Sequence, residues 1–246
     1  MDTLRISDSS RVLVLTGAGV SAESGIATFR AGGGLWESHP VEQVASMEGF
    51  LDDPALVWKF YSERRKGVLK VEPNAGHLAL AELESRLGER MLLTTQNVDG
   101  LHQRAGSKQL VELHGNLLMT RCLQCERPPF SDHKEYYEDL PECSRCAERG
   151  RTQLLRPHIV WFGEALDFRV LDRIQNFIED AGEELIFLAI GTSGAVYPAA
   201  ALVEAAKAVG GETWLINLDE AQNAARFDHV VLGKSGDLLP TLLAAG

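Results

Sequence analysis

Six short apolar runs punctuate the chain, at residues 11–16, 90–95, 109–114, 184–190, 213–218 and 229–232. The first, Arg11-Val-Leu-Val-Leu-Thr16, is almost continuously apolar and enters a glycine pair, Gly17 and Gly19. Runs this short and this uniform read as strands buried on both faces, the pattern of a parallel sheet sandwiched between helices. The intervening segments 75–87, 169–181, 198–209 and 237–245 carry helical spacing, and 20–29 has helical potential. The expected fold class is therefore α/β, a Rossmann-like, doubly wound parallel sheet.

Two segments break the alternation. Residues 31–71 open near Gly32-Gly-Gly34 and then read as helical, most clearly over 54–68, while 119–156 holds every cysteine and almost no core periodicity. Both read as insertions that together form a smaller helical plus zinc-ribbon domain over the sheet. The sheet domain would then comprise 1–30, 72–118 and 157–246. There is no internal repeat and no low-complexity tract.

Composition narrows the class without choosing a function. With 246 residues, 45% hydrophobic and 24% charged, the chain has ordinary globular proportions. Its longest apolar run, 185–190, covers one strand and not a membrane span. The first eleven residues lack an apolar core, so no signal peptide is expected and the cytoplasm is the default compartment. A net charge of −11 argues against nucleic acid as a partner, because little here would neutralise phosphates.

The cysteines form two knuckles, Cys122-Leu-Gln-Cys125 and Cys143-Ser-Arg-Cys146, separated by seventeen residues. Each knuckle places two thiolates on one side of a tight turn, and two such pairs close a tetrahedron around one zinc ion. Four cysteines leave no position for water or substrate, so the site is structural. In a reducing compartment this spacing outweighs a disulfide reading.

Gly17-Ala18-Gly19-Val-Ser21-Ala-Glu-Ser24-Gly25 follows the first strand and leads toward a helix, a place where bare backbone amides can approach a pyrophosphate. The spacing is not the usual dinucleotide fingerprint, and no acidic strand end follows about twenty residues later. A tight strand-to-helix turn is the plain alternative. Polar groups also collect at other strand ends: Gln96, Asn97 and Asp99; His114 and Asn116; Gly191, Thr192 and Ser193; Asn217, Leu218 and Asp219. Ligands in open α/β sheets bind beyond the carboxyl ends of the strands, so these clusters should converge. His114, between a strand and a glycine, reads as catalytic, whereas His77, His102 and His158 stay open. Tyr61 and Arg64 share a helix face at i, i+3. They are either an ordinary helix surface packed through its tyrosine or a clamp for a carboxylate.

In this order, Gly17-Ala-Gly19-x-Ser21-x-x-Ser24-Gly25-Ile26-x-x-Phe29-Arg30, Thr95-Gln-Asn-Val-Asp99, His114-Gly, the two knuckles, Pro157-His-Ile-Val-Trp-Phe-Gly-Glu164, Gly191-Thr-Ser193 and Asn217 resemble the sirtuins over about residues 11–240. The resemblance implies an NAD-dependent protein-lysine deacylase that transfers the acyl group to ADP-ribose and releases nicotinamide. His114 would be the general base and Asn97 would position ribose and water. Asp99 would hold the nicotinamide carboxamide and Gln96 its ribose. Gly17, Ala18, Gly19, Ser21, Phe29, Arg30, Gly191, Thr192 and Ser193 would line the phosphate and ribose path. Asn217, Leu218, Asp219 and Ser235 would hold the adenosine end. Val160, Phe162, Gly163 and Glu164 would lie on a segment that takes the substrate peptide as an added strand. Tyr61, Arg64 and Ala45 resemble the class III branch, which removes succinyl, malonyl and glutaryl groups. Met47 departs from the proline common among relatives. Expected partners are acyl-lysine proteins, with no membrane, and the expected state is a monomer. A binding module without catalysis and a mono-ADP-ribosyl transferase are the rival readings.

Overall fold

The computed structural model describes residues 4–27, 35–36, 39–194, 197 and 199–244. In chain order its strands are β1 (Arg11–Thr16), β2 (Leu35–Trp36), β3 (His39–Pro40), β4 (Met91–Thr95), β5 (Leu110–Glu112), β6 (Gly115–Cys122), β7 (Phe130–Ser131), β8 (Leu155–Ile159), β9 (Leu185–Ile190), β10 (Glu212–Asn217) and β11 (His229–Leu232). The helices are α1 (Ala18–Ala22), α2 (Val41–Val44), α3 (Met47–Asp52), α4 (Pro54–Val68), α5 (Ala75–Leu87), α6 (Leu101–Ala105), α7 (Ser144–Ala147), α8 (Phe168–Ala181), α9 (Leu202–Ala208) and α10 (Ser235–Ala244).

Six strands form one parallel sheet in the order β11-β10-β9-β1-β4-β5. The two-residue period of β1 decides which helices it meets. Val12 and Val14 join Leu80, Leu83 and Leu239 of α5 and α10 on one face. Leu13 and Leu15 join Ile174, Ile178 and Val203 of α8 and α9 on the other. Burial of each such side chain contributes about 1.5–3 kcal/mol, which is why the continuous apolar runs settle in the middle layer. The helix expected over 20–29 is shorter than that. Gly25, at φ 91°, ends the run after α1, because a left-handed residue cannot continue a right-handed helix.

A second unit packs helices against the antiparallel sheet β7-β6-β8. Asp53 accepts a hydrogen bond from the Leu56 amide at 2.9 Å, and Pro54 begins α4, so the start of this helix is written in its sequence. Val57, Trp58, Phe60 and Tyr61 of α4 share a core with Leu117, Leu155, Ile159 and Trp161, and with the cysteines. The low periodicity of 119–156 thus reflects a core completed by α4 and not built by the segment alone. Arg65, wholly buried, joins the two layers. It donates to the carbonyls of Leu117 (2.7 Å), Lys134 (2.8 Å) and Met119 (3.2 Å), to Thr120 Oγ1 (2.7 Å) and to Asp132 (3.2 Å).

The four Sγ atoms of Cys122, Cys125, Cys143 and Cys146 lie within 4.8 Å of one another, with Cys122–Cys146 at 3.8 Å and Cys125–Cys143 at 3.7 Å. Sulfurs held about 2.3 Å from one zinc at tetrahedral corners sit about 3.8 Å apart, so the set fits that ion. The amides of Gln124 and Cys125 point at Cys122 Sγ, at 3.4 and 3.3 Å, and favour its thiolate.

Two outcomes are expected. Arg65→Met should lower unfolding free energy by about 3–5 kcal/mol in urea, since Asp132 and three carbonyls lose their partner; a loss below about 1 kcal/mol would remove Arg65 from this role. Chelation of the metal, or Cys143→Ser, should release amide-exchange protection across 119–156 while β1 and β9 stay protected. Equal loss of protection in both regions would mean that the ion supports the whole chain.

Candidate active site

Strand order reverses at β1, which has β4 on one side and β9 on the other, and connections leave in opposite directions there. Such a reversal opens a crevice at the carboxyl ends of the strands. Here the turns after β1 and β9 cross in contact. Gly19 donates its amide to the Gly191 carbonyl at 2.8 Å, and Gly191 donates to the Ile216 carbonyl at 3.0 Å. A Cβ on Gly19 would stand 2.7 Å from Gly191 Cα, and one on Gly191, at φ 61°, would stand 2.5 Å from the Val20 nitrogen. The glycines are therefore required by the protein's own crossing, before any ligand is considered.

Behind this crossing lies a buried polar network. Asn97 donates through Nδ2 to the Gly17 carbonyl (3.0 Å) and to Ser21 Oγ (3.1 Å). Ser21 donates to Asp99 Oδ2 at 2.7 Å, while Asp99 Oδ1 accepts from the Leu101 amide at 2.9 Å. His77 Nδ1 accepts from the Asn74 amide, which leaves Nε2–H facing Ser21 Oγ at 3.4 Å. Thr16 gives its hydroxyl proton to Thr95 at 2.7 Å, so His102 donates to Thr16 at 2.9 Å. Burial pushes His77 down to about 4 and His102 down to about 3, keeping both rings neutral at pH 7. Burial also raises Asp99, opposed by its hydrogen bonds from Leu101 and Ser21.

His114 follows β5 and is half-buried. Its Nδ1 lies 3.1 Å from the Gln96 carbonyl, which only accepts, so Nδ1 carries the proton and Nε2 offers a lone pair. Burial lowers the imidazole below its ordinary value, and the Gln96 contact opposes this. Gly115, at φ 85°, leads at once into β6; a Cβ there would lie 2.0 Å from the His158 carbonyl. The His114 carbonyl accepts from the Val160 amide at 2.9 Å, which ties the histidine to the segment after β8.

That segment, 160–164, is mostly paired within the protein. Phe162 donates to the Ala45 carbonyl (3.0 Å), Glu164 to the Trp161 carbonyl (3.0 Å) and Trp161 to Glu164 Oε2 (2.8 Å). Glu164 also takes Arg156 in a two-point pair at 2.6 and 2.9 Å. The amides of Val160, Trp161, Phe162 and Glu164 are thus used internally, and the exposed side chain here is Phe162, 53% accessible. Ala45 and Tyr61 are buried in the same core. Tyr61 is fully covered and its hydroxyl accepts from Trp161 Nε1 at 2.9 Å. Burial raises its phenol well above the ordinary range. Arg64 donates to the Phe60 carbonyl at 2.6 Å, with its guanidinium over the Phe60 ring.

At the other end of the crevice, Gln96 donates to Thr192 Oγ1 (3.1 Å) and Asn217 to the Thr192 carbonyl (3.2 Å). Ser193 accepts the Gln222 amide through its carbonyl, and Leu218 and Asp219 are exposed beyond β10. Ser235 begins α10, where Glu23 accepts from its hydroxyl and from the Gly236 amide at 3.3 and 2.9 Å. Phe29 and Arg30 lie outside the described residues. Thr16, Thr95, His77 and His102 belong to the network although the sequence assigns none of them a role: Thr95 opens the 95–99 motif, His77 and His102 stay open, and Thr16 is a small hydroxyl at a strand end. Trp161 lies within the 157–164 motif, which gives its side chain no role. Carboxamides, hydroxyls and one carboxylate ranged along a crevice at a strand reversal fit a ligand carrying sugars and an amide, as NAD does.

A Sir2 family model matches residues 17–198. The NAD-dependent protein deacylase of Pasteurella multocida (strain Pm70) is 48% identical over 237 residues, covering 95% of this chain and 97% of that one. A Sir2 homologue mutant solved with ADP-ribose superposes with a TM-score of 0.86 at 42% identity, over 97% and 92% of the two chains. A Sir2 structure with a p53 peptide and NAD+ gives 0.77 at 30% identity, over 95% and 92%. With the crevice, the knuckles and these matches spanning nearly its whole length, the chain belongs to the Sir2 family.

Proposed function

We propose that this chain is an NAD-dependent protein-lysine deacylase, with its base at His114. The observation that carries the reading is the fixed tautomer of that ring: Gln96 holds Nδ1–H and leaves Nε2 unprotonated at neutral pH. Relatives named NAD-dependent protein deacylases, and a relative solved with both peptide and NAD+, support the reaction class. Bound NAD would supply an electrophilic ribose carbon, with nicotinamide as leaving group and ADP-ribose as acyl acceptor.

The chain's own groups have separate tasks. His114 Nε2 takes a proton from a ribose hydroxyl. Asn97, locked against Gly17 and Ser21, positions ribose and water, and Asp99 receives a carboxamide N–H. Gln96 contacts the nicotinamide ribose. Gly17, Ala18, Gly19, Ser21, Gly191, Thr192 and Ser193 line the phosphate and ribose path, with Phe29 and Arg30 assigned to it as well. Asn217, Leu218, Asp219 and Ser235 face the adenosine end. An acyl-lysine peptide lies along 160–164, using carbonyls and the Gly163 amide, since most other amides there are taken. The parallel-sheet domain and the smaller unit that packs α4 against β6, β7 and β8 flank this cleft, and the cytoplasm suits an enzyme with four reduced cysteines.

We assign succinyl and malonyl groups to the same enzyme alongside acetyl. Tyr61, neutral and buried, remains a phenolic donor, and Arg64 on the same helix face adds a cation for a carboxylate that a mostly apolar pocket would otherwise exclude. Ala45 leaves room beside them.

His114→Ala should keep its fold and zinc yet lose at least about a hundredfold in kcat/KM. Because the neutral ring is the active form and burial lowers its pKa, activity should persist as pH falls to 6.5 and decline below it. Activity near that of the native enzyme in the alanine variant would remove His114 as base. Arg64→Met should depress succinyl-lysine cleavage about a hundredfold more than acetyl-lysine cleavage, the loss of one desolvated charge-assisted contact. Equal losses on the two substrates would make Arg64 structural.

A further inference from the structure

Trp161 plays no part in the assignments above, although its indole N–H makes a buried hydrogen bond to the Tyr61 hydroxyl at 2.9 Å. Both side chains are sealed from solvent, Tyr61 at 0% and Trp161 at 2% exposure. An indole nitrogen is a donor only. It therefore occupies a lone pair of the phenolic oxygen and obliges the hydroxyl proton to point elsewhere. A phenol left alone could turn that oxygen's lone pairs toward an incoming carboxylate, which would repel it. A phenol already accepting from Trp161 keeps its O–H as the group it can offer.

The indole is itself held from three directions. Arg156, 1% exposed, stacks its guanidinium 3.4 Å from the Trp161 ring centroid. The same guanidinium forms the two-point pair with Glu164, and Glu164 Oε2 returns to the Trp161 backbone amide at 2.8 Å. Phe50 packs on the ring at a centroid distance of 5.3 Å. Arg121 adds a second cation to Glu164 at 3.3 Å, so two arginines stand against one carboxylate beside the phenol.

We propose that Trp161, fixed by Arg156 and Glu164, is a positioning residue for acyl-chain selection that holds the Tyr61 hydroxyl as a hydrogen-bond donor toward acidic acyl groups. The inference rests on the acidic-acyl reading of the Tyr61 and Arg64 pair. It assigns specificity to a residue outside that pair, acting through a single hydrogen bond. Burial leaves Tyr61 neutral, as a donor must be, and outweighs the opposite pull of the Trp161 bond.

The test is a double-mutant cycle read as the ratio of kcat/KM on succinyl-lysine to kcat/KM on acetyl-lysine peptide, with the zinc-loaded, full-length enzyme. Trp161→Phe keeps an aromatic face for Arg156 and Phe50 but deletes the N–H. It should lower the ratio about tenfold in the Tyr61 background and less than twofold in a Tyr61→Phe background, because no hydroxyl remains to be oriented. A ratio unmoved by Trp161→Phe, or the same fall in both backgrounds, would overturn the proposal. The native enzyme and Arg64→Met separate its failure from that of the reading beneath it. A native ratio that Arg64→Met does not change removes the acidic-acyl reading and this inference together; a ratio that falls with Arg64→Met but ignores Trp161→Phe removes the inference alone. Should Trp161→Phe fold poorly, indole 15N–1H resonances answer in the native protein. The signal moved by Tyr61→Phe should also move on adding succinyl-lysine peptide and stay in place with acetyl-lysine peptide; no difference between the peptides would count against the proposal.

Discussion

The contact between Gly19 and Gly191 is the constraint from which the candidate site is laid out. Two turns that leave neighbouring strands can touch backbone to backbone only where neither carries a side chain, and a Cβ at either glycine would come within 2.7 Å of the other turn. Through that contact the register of β10 passes to β9 at the Ile216 carbonyl, then to α1 at the Gly191 carbonyl. Gly17, one residue outside α1, offers its carbonyl to Asn97 from the end of β4. A displacement of one turn would therefore move the carboxamide, the Ser21 hydroxyl and Asp99 together.

Burial then sets the protonation states within this frame. His77 and His102 face each other at 4.8 Å, where two charged rings would repel and neither could be hydrated. Both are neutral, and a chain of hydroxyls and amides can form without an ion at its centre. His114, unlike His77 and His102, is only partly covered, with one nitrogen held by a carbonyl and the other left to accept. The difference between the buried histidines and the one proposed as base is one of exposure and of what the second nitrogen meets.

On α4, adjacent arginines show a similar division. Arg65 points into the antiparallel sheet and spends its donors on carbonyls, Thr120 and Asp132, so its charge serves cohesion. Arg64, one residue earlier and turned about 100° around the helix, lies over Phe60 on the side of Tyr61. Helix geometry alone separates the residue that joins two layers from the one assigned to the acyl chain. The zinc knuckles complete the same unit, since its core draws on α4, β6, β8 and the four cysteines at once.

Much of this was present in the residues themselves. The apolar runs named all six strands of the parallel sheet; the four inner ones, buried on both faces, cannot avoid a continuous hydrophobic signature, while the edge strands β5 and β11 are only partly covered. The start of α4 was written in Asp53-Pro54, and the knuckle spacing brought four sulfurs together because ligand geometry is local in sequence. The convergence of Gly17, Asn97, His114 and Asn217 followed from the rule that parallel strands end on one side. Other features had no local signal. The helix after Gly19 stops early because Gly25 adopts a left-handed φ, which glycine permits but does not announce. Arg65 looks in sequence like any arginine on a helix, and Trp161, though inside the 157–164 motif, gives no sign of the partner it meets. Their partners lie 52 to 100 positions away, at Leu117, Asp132 and Tyr61. Pattern along the chain determines what must be buried and which ligands lie within a turn of one another. Which buried polar groups meet is decided only when distant elements pack, because the cost of an unpaired donor is settled across tertiary contacts.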